Sequence, residues 1–165
     1  MKKYNLYSVL KNVFVLLLLV TVTASCSNSA SSEEETHPEA VGVVLYLNGD
    51  LIVEKYPSQD LINNFPTIDE GDETALISTL FIDEDGNEFI PDEPEVSLGF
   101  EISDSNIIEI EQHEGELWEF HVKGLQAGTA TLTLQLMHDD HPDFESPAIE
   151  IEVVQTTAAK LSAGN

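Results

Sequence analysis

Arginine is absent, and lysine occurs six times, three of them before residue 12. Beyond Lys11 only Lys55, Lys123 and Lys160 stand against 31 aspartates and glutamates, all of which follow Cys26. From Cys26 onward, 31 acids less three lysines leave a net charge of about −28. Binding a phosphate backbone requires a basic surface, so nucleic acid is excluded as a partner. Direct adhesion of the protein surface to anionic lipid is disfavoured on the same ground. Cysteine occurs once, so no internal disulfide can form. No apolar run approaches the roughly 20 residues of a membrane-spanning helix; Val13 to Val20 gives eight. Gly-x-Ser-x-Gly, His-Glu-x-x-His and the phosphate- and dinucleotide-binding glycine loops are all missing. Among 31 acids no single carboxylate pair is informative. A domain with short loops has little room for the cleft in which a glycosidase holds two. A non-catalytic role is expected.

What is present at the N-terminus has a definite order. Lys2, Lys3 and Lys11 precede the apolar run, and the small residues Thr23-Ala24-Ser25 follow it and lead into Cys26. Basic, apolar and small-residue segments in that order make residues 1–25 a secretory signal. Thr23-Ala24-Ser25-Cys26 resembles the lipobox of bacterial lipoproteins, with Thr23 where Leu is usual. The resemblance implies acylation of Cys26 and a membrane partner reached through lipid. Ser27, in place of Asp, implies passage to the outer membrane. Glu33-Glu34-Glu35 resembles the acidic export tag of surface lipoproteins in the Bacteroides group, a few residues later than usual.

Residues 26–40 are polar, contain Pro38 and offer nothing to bury, so they read as a tether. The folded part is expected over residues 41–155, with a small-residue tail at 156–165. Within it, short strands alternate with Gly, Pro, Asp and Asn turns. Val41 to Leu47 and Leu51 to Val53 flank Asn48-Gly49-Asp50, a hairpin signal because Asn and Gly tolerate positive φ. Further strands are expected in Thr74 to Ile82, Phe89-Ile90, Val96 to Ile102, Ile107 to Ile110 and Leu117 to Val122. Ala130, Leu132, Leu134 and Leu136 alternate with Thr129, Thr131, Thr133 and Gln135, a half-buried strand. Ile149, Ile151 and Val153 mark the last. Seven to nine short antiparallel strands predict an all-β immunoglobulin-like β-sandwich, since two sheets can bury both inner faces.

Gly124-Leu125-Gln126-Ala127-Gly128-Thr129-Ala130, followed by alternating Thr and Leu, resembles the penultimate-strand signature of bacterial immunoglobulin-like domains. Ser103-Asp104-Ser105-Asn106-Ile107-Ile108-Glu109-Ile110 matches an upstream segment of that family. Asp83-Glu84-Asp85-Gly86-Asn87 with Pro91 matches another. The resemblance covers about residues 68–154 and implies the fold rather than a ligand. Gly124 and Gly128 are expected at tight turns.

Two groups of side chains suit cations. His138, His141 and Asp143, with His121 and His113, offer imidazole and carboxylate ligands for zinc, copper or nickel. Pairing of the strand carrying His121 with the one ending at His138 would gather them. An exposed acidic loop from His138 to Pro147, with histidines that do nothing specific, accounts for the same residues. Asp83, Asp85, Asn87 and Glu88 surround a Gly turn with oxygen ligands of the type calcium takes; a simple Asp-Gly hairpin turn also explains them. The expectation is thus an accessory or binding domain of the cell envelope with a protein or glycan partner. An envelope metal-handling protein and a structural spacer are the alternatives.

Overall fold

The structure, a computed structural model, describes residues 38–156. The expected signal, the lipidation residue Cys26, most of the tether and the tail beyond Thr156 lie outside the described residues. Within them the chain forms twelve strands and no helix. These are β1 (Gly42–Leu47), β2 (Asp50–Lys55), β3 (Ile62–Asn63), β4 (Ile68–Asp69), β5 (Ile77–Ile82) and β6 (Glu88–Phe89). There follow β7 (Val96–Ile102), β8 (Ile108–Glu111), β9 (Glu119–Gly124), β10 (Gly128–His138), β11 (His141–Glu145) and β12 (Ile149–Val154).

Two sheets result, and together they make a β-sandwich of the immunoglobulin-like class. The larger runs β3-β2-β1-β5-β9-β8, with β6 added to β5. The smaller runs β11-β10-β12-β4, with β7 on β10. Pairing is antiparallel except between β12 and β4. Each sheet turns an alternating apolar face to the other. Val43, Leu45, Ile77, Phe81, Phe120 and Val122 from one meet Ala130, Leu132, Leu134, Ile149 and Ile151 from the other in one core. Phe81 sits at its aromatic centre, with Trp118 edge-on at 5.8 Å and Phe144 edge-on at 5.9 Å.

The local chemistry explains the connections. Asn48 and Gly49 both take positive φ, 53° and 87°, and close β1 onto β2 in two residues. That hairpin, outside the family resemblance, supplies a central strand: Val43, Val44 and Leu45 of β1 are fully buried. Asp104 Oδ1 accepts the amide of Asn106 at 2.9 Å, a local turn that starts the approach to β8.

Three expectations are corrected. His138 to Pro147 is not a loop: His141–Glu145 is an edge strand paired with β10. Pro142, unable to donate to a ladder, sits at an irregularity of that edge, where it is tolerated. Gly124 and Gly128 are strand residues rather than turns. A Cβ on Gly124 would stand 3.0 Å from Ile68 Cγ2 and Val153 Cγ1, so this glycine allows β4 and β12 to approach. Finally, β9 pairs with β5 and β8, not with β10, so His121 and His138 belong to different sheets.

Candidate functional site

The structure divides the expected transition-metal residues into two groups. At the β10–β11 hairpin, His138 faces His141 across a two-residue turn in which Asp139 takes φ 53°. Between Leu136 and Met137 the ladder slips: Leu136 pairs with Phe144 and Met137 with Pro142. Asp143 is the extra residue of this bulge, and a bulge re-aims a side chain. Its two oxygens reach both imidazoles, Oδ2 lying 3.2 Å from His138 Nδ1 and Oδ1 3.3 Å from His141 Nε2. The rings stack with centroids 5.7 Å apart. One ligand atom from each of the three residues lies within 4.8 Å of the others, and all three residues are exposed. Met137 belongs to the packing on the opposite face: a Cβ on Gly99 would collide with its Cγ at 2.7 Å.

His138 continues the period-two face of Leu132, Leu134 and Leu136 past the end of the core. It thereby reaches an open cleft of about 510 Å³. Phe89, Pro91, Val96 and Leu136 give this cleft apolar walls, while Glu39, Glu93, Glu95 and Asp143 supply acids. The cleft therefore joins an apolar lining to concentrated negative charge, with an imidazole beside it.

The second group joins His113 and Glu116, in the segment between β8 and β9, to His121 of β9. His113 and His121 meet with ring centroids 5.3 Å apart, and Glu116 joins them. Glu116 was not legible as a ligand among so many acids. His121 is half-buried, because the segment before β5 covers it: its Nδ1 lies 2.9 Å from the Thr74 carbonyl.

The expected calcium residues are not gathered around one point. Both Asp83 oxygens are taken by Asn87, whose amide N–H donates at 2.7 Å and whose Nδ2 donates at 2.9 Å. The side chain and then the backbone of Asn87 hold the Asp83 carboxyl below its ordinary value of 3.8. Glu88 is engaged elsewhere, accepting from Tyr46 Oη at 2.9 Å. Gly86, at φ 84°, closes the turn by donating to the Asp83 carbonyl. The loop is a self-satisfied turn.

No family model matches the chain, and no curated protein matches it. Matching solved structures include domains of the S-layer protein SbsC. Domains 5-6 give a TM-score of 0.41 at 15% identity, covering 55% of this chain and 39% of that one. Domains 4 and 5 give 0.41 at 13%, covering 62% and 63%. The structure of domains 1-6 gives 0.42 at 14%, covering 56% and 12%. This chain thus spans less than two thirds of each.

Proposed function

We propose that this chain is a non-catalytic binding domain of the bacterial cell envelope, an outer-membrane lipoprotein anchored through Cys26 and akin to bacterial immunoglobulin-like domains. The observation that carries the binding role is the end cleft. Its volume of about 510 Å³ falls in the range of roughly 300–1,000 Å³ typical of ligand sites. Apolar walls beside Glu39, Glu95 and Asp143 favour an occupant with an apolar side chain next to positive charge, which is a basic segment of a neighbouring envelope protein. A neutral glycan would leave Glu39 and Glu95 unmatched. The anchor rests on the basic–apolar–small order that ends at Cys26, and surface display on Ser27 and Glu33-Glu34-Glu35.

Photo-crosslinking in intact cells tests this reading. A photo-reactive side chain at Val96, in the cleft, is compared with one at Asp50, which opens β2 opposite Leu47. A discrete protein adduct from Val96 and none from Asp50 is expected. No adduct from Val96, or equal adducts from both, would overturn it, and a carbohydrate adduct would replace the protein partner with a glycan.

A second reading, envelope transition-metal handling, is favoured by one observation: the bulge that puts Asp143 between His138 and His141. Calorimetric titration with zinc, copper and nickel tests it. One tight equivalent of metal that is lost in the His138→Ala/His141→Ala protein supports it, and a titration that the double substitution leaves unchanged removes it.

A further inference from the structure

We propose that His113, Glu116 and His121 form a separate binding site for a zinc-class transition metal, on the other sheet from the hairpin histidines. The inference does not rest on the cleft or on the hairpin site.

Local structure assembles the trio. The Glu116 amide donates to the His113 carbonyl at 3.1 Å, and Gly115, at φ 95°, permits the turn. That turn folds His113 back toward Glu116. Gln112 pins the segment, its Nε2 donating to the carbonyls of Glu116, Leu117 and Glu119 at 2.9, 3.1 and 3.3 Å. His121 comes from the regular strand β9, so one ligand is fixed by the sheet and two by a braced turn.

Two further observations point to a cation. The contact of His121 Nδ1 with the Thr74 carbonyl at 2.9 Å requires the proton on Nδ1. It leaves the Nε2 lone pair available and fixes the ring, the orientation that metal-ligating histidines share. Meanwhile Glu116 Oε2 is buried and has no hydrogen-bond partner among the described residues. A desolvated carboxylate oxygen is costly unless paired. Lys123, two residues beyond His121, lies 3.6 Å from Glu111. A metal between Glu116 and the two imidazoles would satisfy the orphan oxygen.

One ligand-capable atom from each of the three residues lies within 4.8 Å of the others. Zinc bonds of about 2.0–2.2 Å require roughly 3.4 Å between ligands in a tetrahedron. The exposed His113 supplies the closing movement by rotating its side chain. Two imidazoles and one carboxylate, without thiolate or thioether, select zinc, nickel or copper(II) over copper(I).

The test uses the untagged full-length protein in detergent, stripped with chelator and titrated with zinc alone by calorimetry. His138→Ala/His141→Ala silences the hairpin group. In that protein one zinc per chain is expected. Adding His113→Gln or Glu116→Gln should weaken binding by more than about 100-fold, beyond what loss of an outer-shell partner costs. Cobalt(II) should give a tetrahedral visible spectrum that the same changes abolish. No zinc in the hairpin-silenced protein, or zinc indifferent to both substitutions, would overturn the proposal. His113 is exposed, so its substitution leaves the fold intact, and a circular dichroism spectrum accompanies each variant. The converse protein, His113→Gln/Glu116→Gln, reports on the hairpin group alone.

Discussion

His138 and Asp143 meet at 3.2 Å where the β10–β11 ladder slips by one residue between Leu136 and Met137. Asp143 lies two residues from His141, so period-two alternation puts both on one face, and the slip leaves Asp143 without a ladder partner of its own. The hairpin of this edge strand is thus a presentation device for one imidazole–carboxylate–imidazole set.

Asp143→Ala should separate this device from the fold. The pairs it makes are exposed, and such pairs contribute less than about 1 kcal/mol. Urea unfolding should show a change within that limit. Any tight zinc binding at the hairpin should disappear in calorimetry. A large loss of stability would mean that the bulge is structural rather than presentational.

Tyr46 carries a pH signature. Its hydroxyl donates to Glu88, and this bond, with burial and the nearby negative charge, pushes the phenol from an ordinary 10.0 to about 12. The folded value lies above the unfolded one, so the contribution is complete below pH 10 and is lost as pH rises through about 12. Ultraviolet phenolate titration should show this late-ionising tyrosine. Glu88→Gln should bring it back toward the ordinary range.

Much of the architecture was legible because it rests on period-two burial. Leu132, Leu134 and Leu136, or Ile149, Ile151 and Val153, announce an inward face, and Asn48-Gly49 announces its turn. The strand His141–Glu145 was not legible, because Pro142 and two acids contradict strand propensity and only the neighbouring β10 edge makes it pair. The sheet partner of β9 was not legible either, since local pattern says nothing about which sheet a strand joins. That one choice separated His121 from His138. Glu116 lacked any distinguishing mark in a chain with 31 acids; Gly115 just before it was the single local hint of a turn.

Gly124→Ala should destabilise the sandwich although it adds only a methyl group. The new Cβ would stand 3.0 Å from Ile68 Cγ2 and Val153 Cγ1 and 3.1 Å from the Asp69 carbonyl. Overpacking of this kind costs about 1–3 kcal/mol. Denaturant midpoints at unchanged slope would measure it.

Two buried hydroxyls should respond in opposite senses. Ser146 Oγ accepts the Leu134 amide at 2.9 Å and donates to the Pro147 carbonyl at 2.9 Å. Ser146→Ala orphans that amide and should cost about 1–3 kcal/mol. Thr79 Oγ1 is buried and has no hydrogen-bond partner among the described residues. Thr79→Val removes an unsatisfied group at equal shape and should be neutral or stabilising by about 1 kcal/mol. Thermal melts of the two variants side by side would check both signs.

The most direct test of the binding role is charge reversal in the cleft, read by crosslinking in intact cells. With the photo-reactive group at Val96, Glu39→Lys/Glu95→Lys is compared with the unaltered acids. The account predicts that the protein adduct disappears while membrane attachment and the circular dichroism spectrum are retained. An adduct of undiminished yield would contradict recognition of a basic segment by this cleft.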